Sequence, residues 1–193
     1  MASEFLRESM KFAGVFQFVG DPKVDERGEF NRHFSKDDMV ELDDRYCVAQ
    51  ANLVRTTRAR TFRGMHLQVG EHAETKLLSC LAGEILSVLT DLRPASLTFL
   101  QSTMVHLTAR HNRLLLIPEG IASGYLTLTD DVLVHYYSSC VYSPLNERGF
   151  RFDDPLAAIQ LPSNPLIVSQ KDVRWPPLEV MLSEPYFMDA NSQ

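Results

Sequence analysis

Short runs of β-branched and aromatic residues, separated by turn residues, fill the middle of this chain. Residues 76–92 contain two such runs divided by an Ala-Gly pair, and residues 113–128 contain two more around a Pro-Glu-Gly turn. Residues 131–142 form another run. Turn signals recur at roughly the 8–12-residue spacing that is typical of sandwiches and barrels. The pattern therefore predicts an all-β fold, in particular a jelly-roll barrel.

Helical periodicity is weak until the end of the chain, where PPLEVMLSEPYF (176–187) predicts a short helix between prolines. We find no repeat, low-complexity segment or linker, so a single domain over residues 1–193 is expected. Side chains that point into a barrel alternate along each strand. In residues 131–142 both faces are apolar, so alternation alone does not identify the inward face.

Composition narrows the class of ligand and the cellular location. A net charge of −6 argues against a nucleic-acid surface, which needs a basic patch, but permits a phosphorylated ligand held by a few arginines. The three cysteines lack C-x-x-C spacing and predict reduced, buried thiols in a cytoplasmic protein. Charges are spread over the first 14 residues, which predict neither a signal peptide nor a membrane span.

The stretch FRGMHLQ (62–68) places His66 inside a run that otherwise indicates a strand. Strict alternation puts His66 on the same face as Gly64 and Gln68, with Arg63 on the opposite face. A bulge at Gly64 would instead re-aim Arg63, since glycine within a strand often marks one. Three interpretations of His66 are open at this point: a packed barrel histidine, a metal ligand, or a general base.

The metal interpretation has little support. Metal-binding jelly rolls usually begin their site with His-x-His, and the second position here is Gln68, a poor ligand for a transition metal. No other histidine lies at a recognisable ligand spacing from His66. The other histidines are His33, His72, His106, His111 and His135.

A general base needs three supporting groups. A carboxylate should fix the imidazole tautomer, and a cation should stabilise the negative charge that develops. A second proton carrier should lie on the opposite face of the substrate. Periodicity cannot show which distant residues meet His66 in this way.

A series of sequence blocks in a fixed order covers residues 25–172. The blocks are DERGEF (25–30), QAN (50–52), FRGMHLQ (62–68), Lys76 ten residues past His66, LLIPEGIASGY (115–125), YYSSCVYSPLNERGFRFDDP (136–155), IQLP (159–162) and SQKD (169–172). In this order they resemble the nucleotide-sugar epimerases typified by dTDP-4-dehydrorhamnose 3,5-epimerase. The resemblance implies a double-stranded β-helix (cupin) barrel, normally a homodimer that uses neither a metal nor another cofactor.

The resemblance also implies a reaction on a 4-keto-6-deoxy sugar nucleotide in the biosynthesis of deoxysugars such as rhamnose. The 4-keto group acidifies the hydrogens at C3 and C5, and removing one leaves an enolate. Returning a proton to the other face inverts the carbon. By position, the resemblance makes His66 the general base, held by Asp172. Lys76 then neutralises the enolate oxygen, and Tyr136 is the acid on the far face.

Further positions correspond to substrate contacts in the family. The resemblance assigns Arg63 and Arg27 to the diphosphate, and Gln50 and Asn52 to the shape of the site. Phe30, at the end of DERGEF, belongs to the same substrate-binding set.

Three features depart from the usual family pattern. Ser123 stands where a histidine near the sugar is usual, and Arg32 stands where a glutamate near the nucleotide is usual. Residues 69–75 replace a loop that normally contains two prolines and a glutamine. We therefore expect altered specificity, with inversion at C3 alone or a base other than thymine. The alternatives are a 3,4-ketoisomerase, which tends to carry a histidine where this chain has Gln68, and a non-catalytic sugar-nucleotide binding cupin.

Overall fold

The computed structural model describes residues 5–35, 37 and 47–188. Short strands dominate these residues, and three short helices follow the last strand. The strands are β1 Phe5–Ser9, β2 Phe16–Gly20, β3 Lys23–Asp25, β4 Gly28–Phe30, β5 Gln50–Thr56, β6 Thr61–Gln68, β7 Lys76–Ala82, β8 Glu84–Asp91, β9 Ser102–Thr108, β10 Arg113–Ile117, β11 Ile121–Thr127, β12 Val132–Ser138, β13 Glu147–Gly149 and β14 Ile167–Val168. The helices are α1 Gln170–Val173, α2 Leu178–Leu182 and α3 Pro185–Met188.

Two six-stranded sheets form the barrel. The first has the order β1-β2-β10-β7-β12-β5, and the second has the order β13-β6-β11-β8-β9, with β14 parallel to β6. The hairpin β3–β4 forms a separate two-stranded sheet. Buried side chains from both large sheets pack into one cluster, with Leu78 and Val134 from the first sheet and Leu89 and Val105 from the second. The predicted all-β architecture is confirmed.

A second apolar cluster lies where the C-terminal helices pack on the second sheet. Leu178, Met181 and Phe187 are buried there against Phe62 and Met65 of β6. The helix predicted over residues 176–187 is confirmed in two pieces, α2 and α3. The second piece begins at a proline, which fits the first turn of a helix because it has no N–H to donate.

The strand ends that turn residues mark are placed as predicted. Gly83, at φ 72°, separates β7 from β8, and residues 118–120 separate β10 from β11. The run 131–142 was predicted too long, because β12 ends at Ser138. The Ser138 hydroxyl lies 2.8 Å from the Cys140 carbonyl oxygen and helps to turn the chain there. Val132 and Val134 of β12 are fully buried in the barrel core, which identifies the inward face.

The three thiols differ in their surroundings. Cys80 is buried, Cys140 is half-buried and Cys47 is exposed, so the prediction that all three are buried is wrong. All three are free thiols. Burial raises the pKa of the Cys80 thiol to about 11, so that this thiol is protonated and unreactive at neutral pH. Separately, none of the helices in the described part of the chain is long and apolar enough to cross a membrane.

Candidate active site

Three neighbouring strands of the first sheet place polar side chains in register. Lys76 of β7 is paired with Ser138 of β12, and Ser138 is paired with Gln50 of β5. Two residues along β12, Tyr136 is paired with Asn52. Residues two apart on a strand face the same side of the sheet. These side chains therefore share the inner face of the barrel.

A bulge in β6 brings two further side chains to the facing sheet's inner surface. His66 pairs with Ser123 and Arg63 pairs with Tyr125 of β11, so two residues of β6 lie opposite one residue of β11. The extra residue places Arg63 and His66, three positions apart, on the same cavity. Strict alternation along β6 was therefore wrong, and the bulge expected at Gly64 is confirmed.

Gly64 is required at this bulge for two reasons. Its φ is +123°, and an added Cβ would lie 2.5 Å from the Gly124 Cα. Gly28 has a similar φ of +126°, but an added Cβ there would meet no heavy atom within 4 Å. Alanine at Gly28 would therefore strain only the backbone, whereas alanine at Gly64 would also overlap the neighbouring strand.

We expect Gly64→Ala to lower the free energy of unfolding more than Gly28→Ala does. Gly28→Ala costs about 1–2 kcal/mol for the left-handed backbone alone. Gly64→Ala adds about 1–3 kcal/mol because the new methyl group overlaps backbone atoms of β11. Urea unfolding of both variants measures the difference, and equal losses would contradict the close approach of the two strands.

Asp172 reaches His66 from the C-terminal end of the chain. Strand β14 runs parallel to the start of β6, and Ser169 then caps α1 by accepting a hydrogen bond from the Asp172 N–H at 3.0 Å. This turn brings Asp172 Oδ1 to 2.6 Å from His66 Nε2. Gly64 N–H lies 3.5 Å from the other carboxylate oxygen. Asp172 is 4% exposed and the His66 side chain is 29% exposed, so the carboxylate is shielded from water while the imidazole is accessible.

The charge state of Asp172 determines how the imidazole is oriented. Burial alone would raise the pKa of Asp172, but the hydrogen bond and charge of His66, with further hydrogen bonds from Ser169 and Gly64, lower it below its ordinary value. An ionised carboxylate only accepts hydrogen bonds, so His66 Nε2–H is the donor. The other ring nitrogen then carries the lone pair that a base requires.

Lys76 is held by a carboxylate on the loop before β7. Its Nζ lies 3.1 Å from Glu74 Oε1, and the side chains of Lys76 and Glu74 are only 16% and 11% exposed. The other Glu74 oxygen accepts a hydrogen bond from the Ser138 hydroxyl. The Lys76 ammonium group thus has a fixed partner inside the cavity.

A second lysine–glutamate pair lies at the edge of the site. Lys171 Nζ is 2.5 Å from Glu147 Oε2, and the Tyr142 hydroxyl donates to the same oxygen at 2.6 Å. Burial alone would raise the pKa of Glu147, but the hydrogen bonds from Lys171 and Tyr142 outweigh it and lower that pKa. Gln50 Oε1 accepts from the Tyr142 N–H at 2.6 Å, which ties this edge to β5.

The side chains line two adjoining cavities between the sheets. One has a volume of about 300 Å³ and reaches Arg63, Ser123 and Asp172. The other has a volume of about 270 Å³ and reaches Gln50, Asn52 and Glu147. Both cavities are lined by His66, Lys76 and Tyr136. These three groups therefore stand where the cavities meet, in a cleft of the size that binds small ligands.

Arg63 differs from the other cations of this cleft. Its Nε donates to the Thr56 hydroxyl at 3.1 Å. Among the described residues, no carboxylate is paired with Arg63, whereas Lys76 and Lys171 each have one. The planar end of its guanidinium group is therefore suited to an anionic ligand such as a phosphate.

The chain brings most of the predicted site residues together. His66, Asp172, Lys76, Tyr136, Arg63, Ser123, Gln50 and Asn52 all line the two cavities. Arg27, Phe30 and Arg32 are not among the lining residues. Strands β3 and β4 are exposed along their length, with Phe30 60% exposed, and Arg27 is bonded to Asp25 at 2.5 Å. Within the part of the chain that the structure describes, the hairpin therefore contributes no lining residue to either cavity.

Gln68, which stands where metal-binding jelly rolls usually have a second histidine, bonds to the backbone of the loop after β12. Its Oε1 accepts from the Ser143 N–H at 2.6 Å, and its Nε2 donates to the Val141 carbonyl at 3.3 Å. Across residues 5–35, 37 and 47–188, His, Cys, Asp and Glu side chains form no group of three or more that could hold a metal ion.

Several site residues had no role assigned from the sequence. Glu147 and Lys171 lie inside the blocks that carry the family resemblance, so their positions could have indicated that they belong to the site. Glu74 lies in the loop that departs from the family pattern. Trp175 packs edge-on against His66, with ring centroids 6.0 Å apart, and no sequence pattern indicated it. An added Cβ at Gly149 would lie 2.5 Å from this indole, so the glycine makes room for it.

Known proteins match this chain over most of its length. The family model for dTDP-4-dehydrorhamnose 3,5-epimerase matches residues 9–180. The dTDP-4-dehydrorhamnose 3,5-epimerase of Salmonella typhimurium is 35% identical over 165 residues, which is 84% of this chain and 90% of the relative. The dTDP-4-dehydrorhamnose 3-epimerase of Streptomyces niveus is 30% identical over 160 residues, which is 82% of this chain and 77% of the relative.

A solved structure extends the similarity to the whole barrel. The crystal structure of dTDP-4-dehydrorhamnose 3,5-epimerase from Bacillus anthracis with TDP and PPi bound has a TM-score of 0.85 and 32% identity, and the match covers 90% of this chain and 99% of that one. This similarity confirms the predicted cupin-like jelly roll. Because the family model and these relatives each match most of the chain, the protein belongs to the dTDP-4-dehydrorhamnose 3,5-epimerase family.

Proposed function

We propose that this protein is an epimerase that acts on a 4-keto-6-deoxy sugar nucleotide in deoxysugar biosynthesis and inverts C3, C5 or both through an enolate. The observation that carries the proposal is the placement of His66, bonded to Asp172, and Tyr136 on opposite sheets around one cleft, with Lys76 lining the same cleft. Inversion needs this arrangement, because the proton leaves from one face of the sugar and returns to the other.

His66 removes the proton next to the keto group. Its Nε2–H is held by Asp172, so the second ring nitrogen accepts the proton and the carboxylate stabilises the imidazolium that forms. The negative charge moves to the keto oxygen, and the Lys76 ammonium group stabilises it there. Contacts of this kind at a developing oxyanion are typically worth about 3–4 kcal/mol of barrier.

Tyr136 returns a proton to the opposite face. Burial, followed by the charges of Glu74 and Glu147, raises the pKa of Tyr136 above its ordinary value, so the phenol is protonated at neutral pH. The proton passes from the tyrosine hydroxyl to the carbon and the enolate returns to the ketone. In this scheme the side chains of the cleft carry out both proton transfers.

Arg63 binds the diphosphate in this scheme, and Gln50 and Asn52 shape the cleft around the substrate. The relative from Bacillus anthracis was solved with TDP and PPi bound, and Arg63 is the cleft cation without a carboxylate partner among the described residues. A guanidinium group can hold phosphate oxygens with two parallel hydrogen bonds.

We expect Arg63→Ala to weaken binding of dTDP by roughly 10- to 100-fold, because charge-assisted hydrogen bonds contribute about 1.5–3 kcal/mol. Calorimetry measures the affinity, and the fluorescence of Trp175, the single tryptophan of the chain, reports binding beside His66. Arg55→Ala is the matched control, since Arg55 pairs with exposed Asp131 at 3.1 Å outside the cleft. Equal affinity of the two variants for dTDP would show that Arg63 does not bind the diphosphate.

The proposed activity is tested by incubating the protein with dTDP-4-keto-6-deoxyglucose in deuterium oxide and following C3 and C5 by NMR. Deuterium at C3 or C5 together with inversion supports an epimerase. Movement of the keto group to C3 would indicate a 3,4-ketoisomerase instead. If neither the dTDP sugar nor the same sugar on other nucleotides exchanges any hydrogen, the protein is a binding module and the proposal fails.

A C3-only epimerase is the second candidate, and Ser123 favours it. Ser123 lies opposite His66 in the β6–β11 register and lines the cavity, at the position where the family usually carries a histidine. A hydroxyl group cannot supply the charge of an imidazolium beside the sugar. The Streptomyces niveus relative named as a 3-epimerase shows that the family includes such activity. Exchange at C3 without exchange at C5 identifies this case.

The exposed hairpin β3–β4 supports a homodimer in which each hairpin serves the partner's cleft. It carries Arg27 and Phe30, and Arg32 follows it, all at positions that the family uses for substrate. Light scattering measures the mass in solution. A monomer with full activity would contradict this arrangement. The cytoplasmic location stays a prediction, which cell fractionation tests.

A further inference from the structure

Glu74 is a nearly buried carboxylate inside a cleft that is to bind an anionic substrate. It lies on the loop of residues 69–75, which departs from the family pattern, and it lines the cavity together with His66, Lys76 and Tyr136. A negative charge in this place repels a diphosphate, so the carboxylate is expected to have a role that offsets this cost. Its two oxygens are both engaged, one by Lys76 at 3.1 Å and the other by Ser138.

The contacts of Glu74 hold it in one orientation. Ser138 is 1% exposed and belongs to β12, two residues from Tyr136 on the same face. The neighbouring Thr75 N–H donates to the Ser139 hydroxyl at 2.8 Å, so the loop is fixed to the end of β12 at two adjacent positions. The loop and the acid-bearing strand therefore form one unit.

We propose that Glu74 is a positioning residue: anchored by Ser138, it holds the Lys76 ammonium group where the two cavities meet and places a negative charge beside Tyr136. This inference rests on the proposed function for the roles of Lys76 and Tyr136. Without the carboxylate, the flexible lysine side chain samples several rotamers and meets the enolate oxygen less often.

Several other titratable groups face the cleft around Tyr136. They are His66 and Arg63 on β6, Tyr125 on β11, Tyr142 between β12 and β13, Glu147 on β13, and Lys171 and Asp172 on α1. Glu147, Lys171, His66 and Asp172 are engaged in pairs with one another, as is Glu74 with Lys76. After burial, the charges of Glu74 and Glu147 are the causes that raise the pKa of Tyr136. Removing the charge of Glu74 should therefore lower the pKa of Tyr136 and move the alkaline limb of the kcat profile to lower pH.

Three variants separate charge from position. Glu74→Gln keeps an oxygen within reach of Lys76 but removes the charge, and Glu74→Ala removes both. Ser138→Ala keeps the charge of Glu74 and removes its anchor, together with the contact to the Cys140 carbonyl oxygen. We expect Glu74→Ala to lower kcat by about 10- to 100-fold with a smaller change in KM, since misplacing one catalytic group costs this much. Glu74→Gln should recover most of kcat and still shift the alkaline limb. Ser138→Ala should leave that limb in place.

A measurement without substrate decides the electrostatic part independently of the enzyme's activity. The Tyr136 ring is titrated by carbon-13 NMR in the free protein, with its signal assigned by Tyr136→Phe. A lower titration midpoint in Glu74→Gln supports the inference, and an unchanged or higher midpoint overturns it. If wild type shows no hydrogen exchange, the proposed function fails while this titration still reports on Glu74. If wild type is active and Glu74→Ala matches its kcat, Glu74 does not position Lys76.

Discussion

Replacing His66 with asparagine lowers kcat by about 10³-fold or more, because a positioned general base contributes typically 10²–10⁴-fold. Asparagine is close in size and keeps a donor toward Asp172, which lies 2.6 Å from His66 Nε2. The cleft should therefore keep its shape and lose only the group that accepts the proton. Deuterium incorporation at both C3 and C5 should fall together with product formation, since no enolate forms. Turnover and exchange are measured in the same NMR experiment.

His106→Asn is the control for this prediction. His106 pairs with Glu84 at 3.0 Å on the outer part of the barrel, and both side chains are about half exposed. The His106→Asn variant should retain the activity of wild type. Both His66→Asn and His106→Asn should bind dTDP with affinities within a few fold of wild type. Substantial exchange in His66→Asn would assign the base to another residue.

Tyr136→Phe separates the two proton transfers. Product formation falls by about 10²-fold or more, because the group that protonates the far face is lost. His66 and Asp172 are unchanged, so deuterium still enters the recovered substrate as the base returns a solvent-derived proton to the original face. The expected result is exchange without inversion, read by NMR as labelled substrate with its original configuration.

Tyr137→Phe is the matched control on the adjacent position of β12. Tyr137 packs against Phe34 and His135 on the other face of the sheet, with ring centroids 5.3 and 4.6 Å away. The Tyr137→Phe variant should form product at the rate of wild type. If Tyr136→Phe lost exchange and inversion equally, Tyr136 would be needed for the first proton transfer, and the division of roles proposed here would be wrong.

The strands could be predicted where the chain itself marks their ends. Gly83 adopts a positive φ between β7 and β8, and Pro118 begins the turn between β10 and β11, so local residues determine these boundaries. The end of β12 was not predictable in this way. At this end the Ser138 hydroxyl has a local neighbour, the Cys140 carbonyl oxygen at 2.8 Å, and a distant partner, Glu74, on a loop 64 residues away. A residue pattern read along the chain contains no information about such a contact.

The members of the site came from family resemblance and not from periodicity. His66 and Asp172 are 106 residues apart, and Lys76 and Tyr136 lie on different strands. Resemblance named all four by their positions in ordered blocks. It did not predict that Lys76 would be held by Glu74, because the loop of Glu74 departs from the family pattern.

The sequence by itself determined the all-β class, the places where turn residues divide the strands, and the chemical types available for proton transfer and anion binding. The tertiary structure alone decided which of those side chains meet. The bulge in β6 turns Arg63 to the face of His66, and the register of β7, β12 and β5 aligns Lys76, Ser138 and Gln50. Turns depend on a few adjacent residues, whereas register and burial depend on packing between strands that are distant along the chain.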